Sequence, residues 1–113
     1  MSAITTHILD TARGCPAAGV SVILEYMADQ GWTEIASGST NLDGRIPDLL
    51  PAEHELLAGI YKLTFNTHGY FSSLPAEAFY PYVSVVFEIK NTAQHYHVPL
   101  LLSPFGYSTY RGS

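Results

Sequence analysis

Hydrophobic and polar residues alternate with a period of two along most of the chain, which indicates β-strands with one buried face. In the segment 20–27, for example, Val20, Val22 and Leu24 fall on one face and Ser21 falls on the other. Turn-forming sequences rich in Gly, Pro, Asn and Asp separate the alternating segments. The pattern predicts strands over 3–10, 20–27, 32–38, 59–67, 83–90, 95–102 and 105–111.

Two segments between these strands have a less regular pattern. Residues 51–57 begin with Pro51 and fit either a loop or one helical turn, because proline is favoured at the first position of a helix. Residues 70–77 fit either a short helix or an irregular loop. Seven or eight short strands separated by turns predict an all-β fold, an antiparallel β-sandwich with at most one short helix. The chain has the usual size of one domain, so residues 1–113 are predicted to form a single domain.

The charge composition narrows the range of partners. Charged residues make up only 13% of the chain, about half the usual share. So few charges predict that other copies of the chain cover part of the surface in an oligomer. The net charge of −5 and the total of five Lys and Arg residues exclude the basic stripe of a nucleic-acid binder. They equally exclude a basic segment that would bind an anionic membrane surface.

The single cysteine and the N-terminal sequence bear on the compartment. Cys15 has no second cysteine with which to form an intrachain disulfide. It lies in a Gly-Cys-Pro turn without a neighbouring histidine, so we interpret it as a passive turn residue and not as a nucleophile. The first residues show no basic segment followed by an apolar run, and no stretch is apolar over the length of a membrane helix. We therefore expect a cytoplasmic location.

The sequence His95-Tyr96-His97 is the first candidate for chemistry. Side chains two residues apart on a strand point to the same face, so the two imidazoles are predicted to lie side by side. An isolated pair of this kind is as often a structural or surface feature as a functional one. With His7 as a third ligand, the pair fits a zinc site with an open position for water. No acidic or cysteine ligand is placed to complete that site, so we prefer the metal-free interpretation.

Four further polar residues carry little signal when each is taken alone. His7 lies in the middle of the first predicted strand, and Arg45 directly follows the turn at 41–44. Most histidines and arginines in such places are surface residues. Arg111 and Ser113 close the sequence, and Ser113 has no Ser–His–Asp arrangement to make it a nucleophile, so its carboxylate is the more distinctive group.

Three motifs of the chain together resemble one family. The tail combines His-Tyr-His-Val-Pro-Leu-Leu-Leu-Ser-Pro at 95–104 with Tyr-Arg-Gly-Ser at 110–113. Thr-His-Ile-Leu-Asp-Thr at 6–11 and Thr-Asn-Leu-Asp-Gly-Arg at 40–45 complete the set. In these motifs, and over essentially its whole length, the chain resembles the 5-hydroxyisourate hydrolases, the transthyretin-like proteins of urate breakdown. The terminal Tyr-Arg-Gly-Ser is the part that separates those hydrolases from transthyretin, the hormone carrier of the same fold.

The resemblance implies a fold, an assembly and a set of site residues. The fold is a transthyretin-like β-sandwich, and the assembly is a homotetramer, a dimer of dimers with active sites in a central channel. The implied catalytic residues are His7, Arg45, His97 and Ser113. The implied substrate-binding residues are His7, Arg45, Tyr110 and Arg111. His97, and not His95, matches the family's catalytic position because it directly precedes the sequence Val-Pro-Leu-Leu-Leu-Ser-Pro.

The implied reaction is hydrolysis of 5-hydroxyisourate to 2-oxo-4-hydroxy-4-carboxy-5-ureidoimidazoline, a cyclic amide hydrolysis without a metal or organic cofactor. His97 or His7 would take the proton of the attacking water, since imidazole titrates near neutral pH and general-base assistance is worth ~10²–10⁴ in rate. Arg45 would hold the substrate and stabilise the developing oxyanion.

The tail and two alternatives complete the expectations. Tyr110 would bind the substrate ring, while Arg111 and the Ser113 carboxylate would close the site. The first alternative is a non-enzymatic, transthyretin-like carrier of a small aromatic ligand. The second is a zinc-dependent hydrolase that uses the three histidines His7, His95 and His97.

Overall fold

The structure, a computed structural model, describes residues 2–112, which form two four-stranded sheets and one short helix. Every strand predicted from the alternation is present, with its ends shifted by at most two residues. A further two-residue strand lies in the first predicted turn. The elements are β1 (Ile4–Asp10), β2 (Cys15–Pro16), β3 (Ser21–Ala28), β4 (Gly31–Ser39), β5 (Gly59–Phe65), α1 (Thr67–Ser72), β6 (Val83–Ile89), β7 (Tyr96–Ser103) and β8 (Gly106–Thr109).

The strand order is β2-β1-β7-β8 in the first sheet and β4-β3-β5-β6 in the second. Within residues 2–112, five of the six strand pairs are antiparallel, as predicted, and β1 runs parallel to β7. A short hairpin forces two strands to run antiparallel, but the whole second sheet separates β1 from β7 along the chain, so no hairpin fixes their direction. The antiparallel prediction is therefore corrected at this pair.

The core lies between the sheets and is built from the buried face of each alternating strand. In β1, Ile4 and Ile8 are fully buried, whereas Thr5 and His7 lie on the other face and are only half-buried. The predicted orientation of His7, opposite Ile8, is thus confirmed. Burying a Leu, Ile or Phe side chain contributes about 1.5–3 kcal/mol, so the core fixes the facing of the strands that supply it, β1, β3, β5, β6 and β7. The largest fully buried side chains of the other strands are Leu24, Tyr61, Leu63, Phe65, Ile89, Leu100 and Leu102.

The helix α1 fastens one end of β1. It begins earlier than the predicted segment 70–77, because the Asn66 side chain caps it by accepting a hydrogen bond from the Gly69 N–H at 3.0 Å. Tyr70 points into the core and donates to a carboxylate oxygen of the buried Asp10 at 2.7 Å. Among residues 2–112, no helix is long and apolar enough to cross a membrane.

Candidate active site

The parallel pair β1/β7 brings the predicted site residues of two distant motifs together. In its register, Thr5 lies opposite His97 and His7 lies opposite Pro99. The Thr5 hydroxyl oxygen is 2.8 Å from Nδ1 of His97 and 3.0 Å from Nε2 of His95. The His95 and His97 rings lie nearly parallel, with centroids 6.4 Å apart. The prediction that the two imidazoles lie side by side is confirmed, and one hydroxyl contacts both.

A tight turn places Arg45 beside β1. The Asn41 side chain accepts hydrogen bonds from the N–H groups of Asp43 and Arg45 at 2.9 and 3.1 Å, which is an Asx-type turn. Gly44 has a φ of +75°, and a Cβ there would collide with the carbonyl oxygen of Ile8, so glycine is required.

The same turn is hydrogen-bonded to β1 itself. The Ile8 N–H donates to the Gly44 carbonyl at 2.9 Å, and His7 forms a β-bridge with Arg45. The backbone of Arg45 is therefore fixed next to that of His7, while its exposed side chain is free to meet a ligand.

The C-terminal tail lies across His97. The Gly112 N–H donates to the His97 carbonyl at 2.8 Å, and the two residues form a β-bridge. A Cβ at Gly112 would lie 2.6 Å from Cδ2 of the His97 ring, so only glycine lets the backbone pass this close. The tail therefore packs against the imidazole that the resemblance names as catalytic.

Arg111 holds this tail in place. Its Nη2 donates to the side-chain oxygen of Gln94 at 2.9 Å, and its guanidinium lies 4.6 Å from the centre of the Tyr96 ring. Tyr110 is exposed next to it. Ser113, whose carboxylate the sequence placed in the site, lies outside the described residues.

The electrostatics favour a neutral His97. Partial burial lowers its pKa below the ordinary value of 6.5, and the positive charge of Arg45 lowers it further, followed by His95 and His7. The backbone of Thr5 acts in the opposite direction and favours the protonated ring. We refer to His7, Arg45, His95 and His97 as the His97 cluster. A neutral imidazole at neutral pH has a lone pair with which to accept a proton.

Two surface cavities are lined by residues of this cluster. The first, of about 250 Å³, lies between β6 and the end of the chain, and His97, Tyr110 and Arg111 line it. The second, of about 400 Å³, lies beside the Asn41 turn, and Thr5 and Arg45 line it. Thr5, which lines the second cavity, is 2.8 Å from Nδ1 of His97, which lines the first.

Within residues 2–112, no group of three or more His, Cys, Asp or Glu side chains is arranged to hold a metal ion. One ring nitrogen of His95 and one of His97 are directed at the Thr5 hydroxyl of the neighbouring strand β1. The zinc-dependent alternative with His7, His95 and His97 therefore lacks the ligand geometry it requires in the described part of one chain.

Three residues of the site were not found by sequence reasoning. Thr5 contacts both His95 and His97, Gly112 packs on His97, and Gln94 accepts from Arg111. The sequence contained one weak indication, for Thr5. This residue lies two positions before His7 and therefore lies on the same face of β1. The contacts of Thr5 depend on a pairing between residues 90 and 92 positions apart.

Comparisons with known proteins identify the family of this chain. The model of the HIUase/Transthyretin family matches residues 4–112. The chain belongs to the HIUase/Transthyretin family. Within this family, a 5-hydroxyisourate hydrolase of Mus musculus is 50% identical over 114 residues, which cover 99% of this chain and 96% of the mouse protein.

Solved structures show the same fold. The 5-hydroxyisourate hydrolase of Klebsiella pneumoniae is 38% identical, has a TM-score of 0.84, and covers 97% of this chain and 98% of its own. The transthyretin of Sparus aurata is 33% identical, has a TM-score of 0.92, and covers 99% of this chain and 97% of its own. The transthyretin-like sandwich is confirmed. Because proteins of both names share it, the fold does not separate a hydrolase from a carrier, and the site has to do so.

Proposed function

We propose that this protein is a hydrolase that converts 5-hydroxyisourate to 2-oxo-4-hydroxy-4-carboxy-5-ureidoimidazoline in urate degradation. The observation that carries the proposal is the His97 cluster, in which a neutral imidazole that lines one cavity lies beside a second histidine and near an arginine that lines another. The curated relatives support it, because proteins named 5-hydroxyisourate hydrolase from mouse and Salmonella dublin are 50% identical to this chain. The sequence identity to the transthyretin of Sparus aurata is lower, at 33%.

We assign the general base to His97. Its lowered pKa keeps the ring neutral, so that a ring nitrogen accepts the proton of a water molecule as that water attacks a substrate carbonyl. The oxygen of the carbonyl becomes an oxyanion in the same step. Arg45 stabilises that charge and orients the planar substrate through its rigid fork of donors. His7, whose backbone is bridged to Arg45, binds or polarises the substrate.

The tail is assigned to substrate binding and to closing the site. Tyr110 lines the cavity of His97 with its ring exposed, which suits stacking against a planar heterocycle. Arg111 lines the same cavity, and its contacts with Gln94 and Tyr96 hold the tail against β7. We carry the role of the Ser113 carboxylate over from the resemblance, as a group that closes the site.

We also propose a homotetramer, as the resemblance implies. The edge strands β6 and β8 expose unpaired backbone groups, and edges of this kind are usually covered. Apolar side chains are exposed around them: Phe79, Tyr82, Val86, Phe105, Tyr107 and Tyr110. Light scattering coupled to gel filtration tests this proposal. We expect the mass of four chains, and the mass of one chain would contradict it.

The test of the function is the loss of the absorbance of freshly generated 5-hydroxyisourate. We expect the wild-type protein to accelerate this loss strongly and His97→Ala to reduce kcat by about 10²–10⁴-fold, the usual worth of a general base. His68→Ala is the matched control, since His68 is exposed on α1 away from the cluster. A wild-type protein that binds the substrate without accelerating its decay would support the carrier alternative instead.

A further inference from the structure

We propose that Thr5 is a positioning residue that keeps a proton on Nδ1 of His97 and connects this ring to His95, so that Nε2 of His97 is left free to take the proton of water. The inference rests on the proposed hydrolytic function for its catalytic meaning. The hydrogen-bond arrangement itself stands on the geometry of β1 and β7 alone.

The first step counts the hydrogen bonds that the Thr5 hydroxyl can donate and accept. A threonine hydroxyl has one hydrogen to donate and two lone pairs with which to accept. The hydroxyl oxygen of Thr5 lies at hydrogen-bond distance from Nδ1 of His97 and from Nε2 of His95, at 2.8 and 3.0 Å. It donates to at most one of the two rings, so at least one ring must donate to it. The protonation of the two histidines is therefore coupled through this hydroxyl.

The second step compares the two arrangements. If Thr5 donates to Nδ1 of His97, the neutral ring of His97 carries its proton on Nε2 and has no lone pair left for water. If Nδ1 of His97 donates to Thr5, then Nε2 has the lone pair, and the threonine hydrogen is directed at Nε2 of His95. Only the second arrangement leaves His97 able to act as a base at its outer nitrogen.

The third step identifies the observations that favour the second arrangement, in which Nδ1 of His97 donates to Thr5. The contact of the Thr5 hydroxyl with Nδ1 of His97 is the shorter of the two, at 2.8 Å against 3.0 Å, and it is partly buried, so the hydroxyl is the partner at hand for a proton on that nitrogen. His95 is exposed, so water satisfies its Nδ1–H while its Nε2 accepts from Thr5. Partial burial, the positive Arg45 and the neighbouring His95 and His7 disfavour a second proton on His97, and the ring stays neutral before the reaction.

The scaffold makes Thr5 suitable for this task. It lies on a strand, opposite His97 in the register, and it is half-buried. A β-branched side chain on a strand has restricted rotamers, so the hydroxyl loses little freedom when it holds the ring. When Nε2 takes the proton of water and hydroxide adds to the carbonyl, the Nδ1–H stays donated to Thr5, and no bond of the threonine breaks.

The experiment reads the tautomer directly. In protein labelled with ¹⁵N-histidine, two-bond ¹H–¹⁵N spectra at a pH where the histidines are neutral distinguish a protonated from a bare ring nitrogen. We expect a protonated Nδ1 and a bare Nε2 for His97 in the wild type and in Thr5→Ser. In Thr5→Val, which keeps the shape and removes the hydroxyl, we expect a mixture of tautomers. A wild-type ring with its proton on Nε2 would overturn the proposal without any variant.

Kinetics provide the second readout. We expect Thr5→Val to lower kcat about tenfold, the size expected for one ordinary hydrogen bond, and to leave KM unchanged, because the hydroxyl contacts the base and not the substrate. Thr5→Ser should restore kcat. Thr64→Val is the control, since Thr64 is a strand threonine whose hydroxyl contacts the Ser84 hydroxyl. Equal losses in Thr5→Val and Thr5→Ser, or no loss in either, would overturn the proposal. A wild type without turnover would refute the proposed function, while the spectra would still test the tautomer.

Discussion

Gly112 packs on the His97 ring, so a substitution at Gly112 is a sensitive test of the site. In Gly112→Ala, the new methyl carbon would lie 2.6 Å from Cδ2 of the ring, 3.3 Å from Cγ and 3.4 Å from Cβ. Carbon atoms prefer separations of about 3.5–4.0 Å, so the closest pair overlaps by about 1 Å. The ring is held on its other side by Thr5 at 2.8 Å, and the tail is held by the bond from the Gly112 N–H to the His97 carbonyl. One of these contacts must give way.

The expected effect is large for activity and small for stability. A misplacement of about 1 Å in an active site costs on the order of 10²-fold in rate, which is ~2.7 kcal/mol of transition-state stabilisation. We therefore expect kcat/KM for 5-hydroxyisourate to fall about 10²-fold in Gly112→Ala. Gly112 is the last described residue and contributes no side chain to the core, so the midpoint of thermal unfolding should stay close to that of the wild type.

A matched control is available in the same tail. Gly106 begins β8, and a Cβ there would meet only the Ser103 hydroxyl oxygen at an ordinary distance of 3.8 Å. Gly106→Ala should keep wild-type turnover in the absorbance assay. Turnover of Gly112→Ala within twofold of the wild type would refute the reasoning, because it would mean that the tail does not lie against the His97 ring in solution.

Two further predictions concern pH and stability. Burial and the charge of Arg45 lower the pKa of His97, so the neutral base persists below pH 6.5, and the acidic limb of kcat/KM against pH should have its midpoint below 6.5. A midpoint above 6.5 would contradict the assignment of His97 as the base. Tyr70→Phe removes the hydroxyl that donates to the buried carboxylate of Asp10 at 2.7 Å, and it should lower the free energy of unfolding by about 1.5–3 kcal/mol, as measured by urea denaturation. A change below about 0.5 kcal/mol would show that this bond is not formed in solution.

The alternation of the sequence was sufficient to predict most of the fold. β1 buries every second residue, and in β7 His97 lies between the buried Tyr96 and Val98, so the facing of His7 and the side-by-side arrangement of His95 and His97 followed from counting positions. The start of α1 was also predictable from the sequence. Asn66 is a favoured capping residue, and a search for helix caps would have placed the first residue of the helix earlier in the chain. The single domain over residues 1–113 and the cytoplasmic location stay predictions.

The parallel direction of β1 and β7 is the feature of the fold that no local sequence pattern predicts. Alternation is the same in parallel and antiparallel strands, and a reversed β1 would bury the same residues. It would, however, change which outward side chain lies opposite His97. The contact of Thr5 with His97 therefore depends on long-range pairing, and so does the meaning of Gly112, whose small size matters only because the tail folds back over the ring.

The two outer edges of the β1/β7 pair explain how one sheet assembles the site from four distant segments. On the side of β1, the Ile8 N–H bonds to the Gly44 carbonyl and thereby fixes Arg45. On the side of β7, the Gly112 N–H bonds to the His97 carbonyl and thereby fixes the tail. Backbone hydrogen bonds hold both attachments, and on the tail the contacts of Arg111 with Gln94 and Tyr96 add to them. The exposed side chains of Arg45 and Tyr110 remain accessible to a substrate, which is the requirement that a binding site has and a buried structural cluster does not.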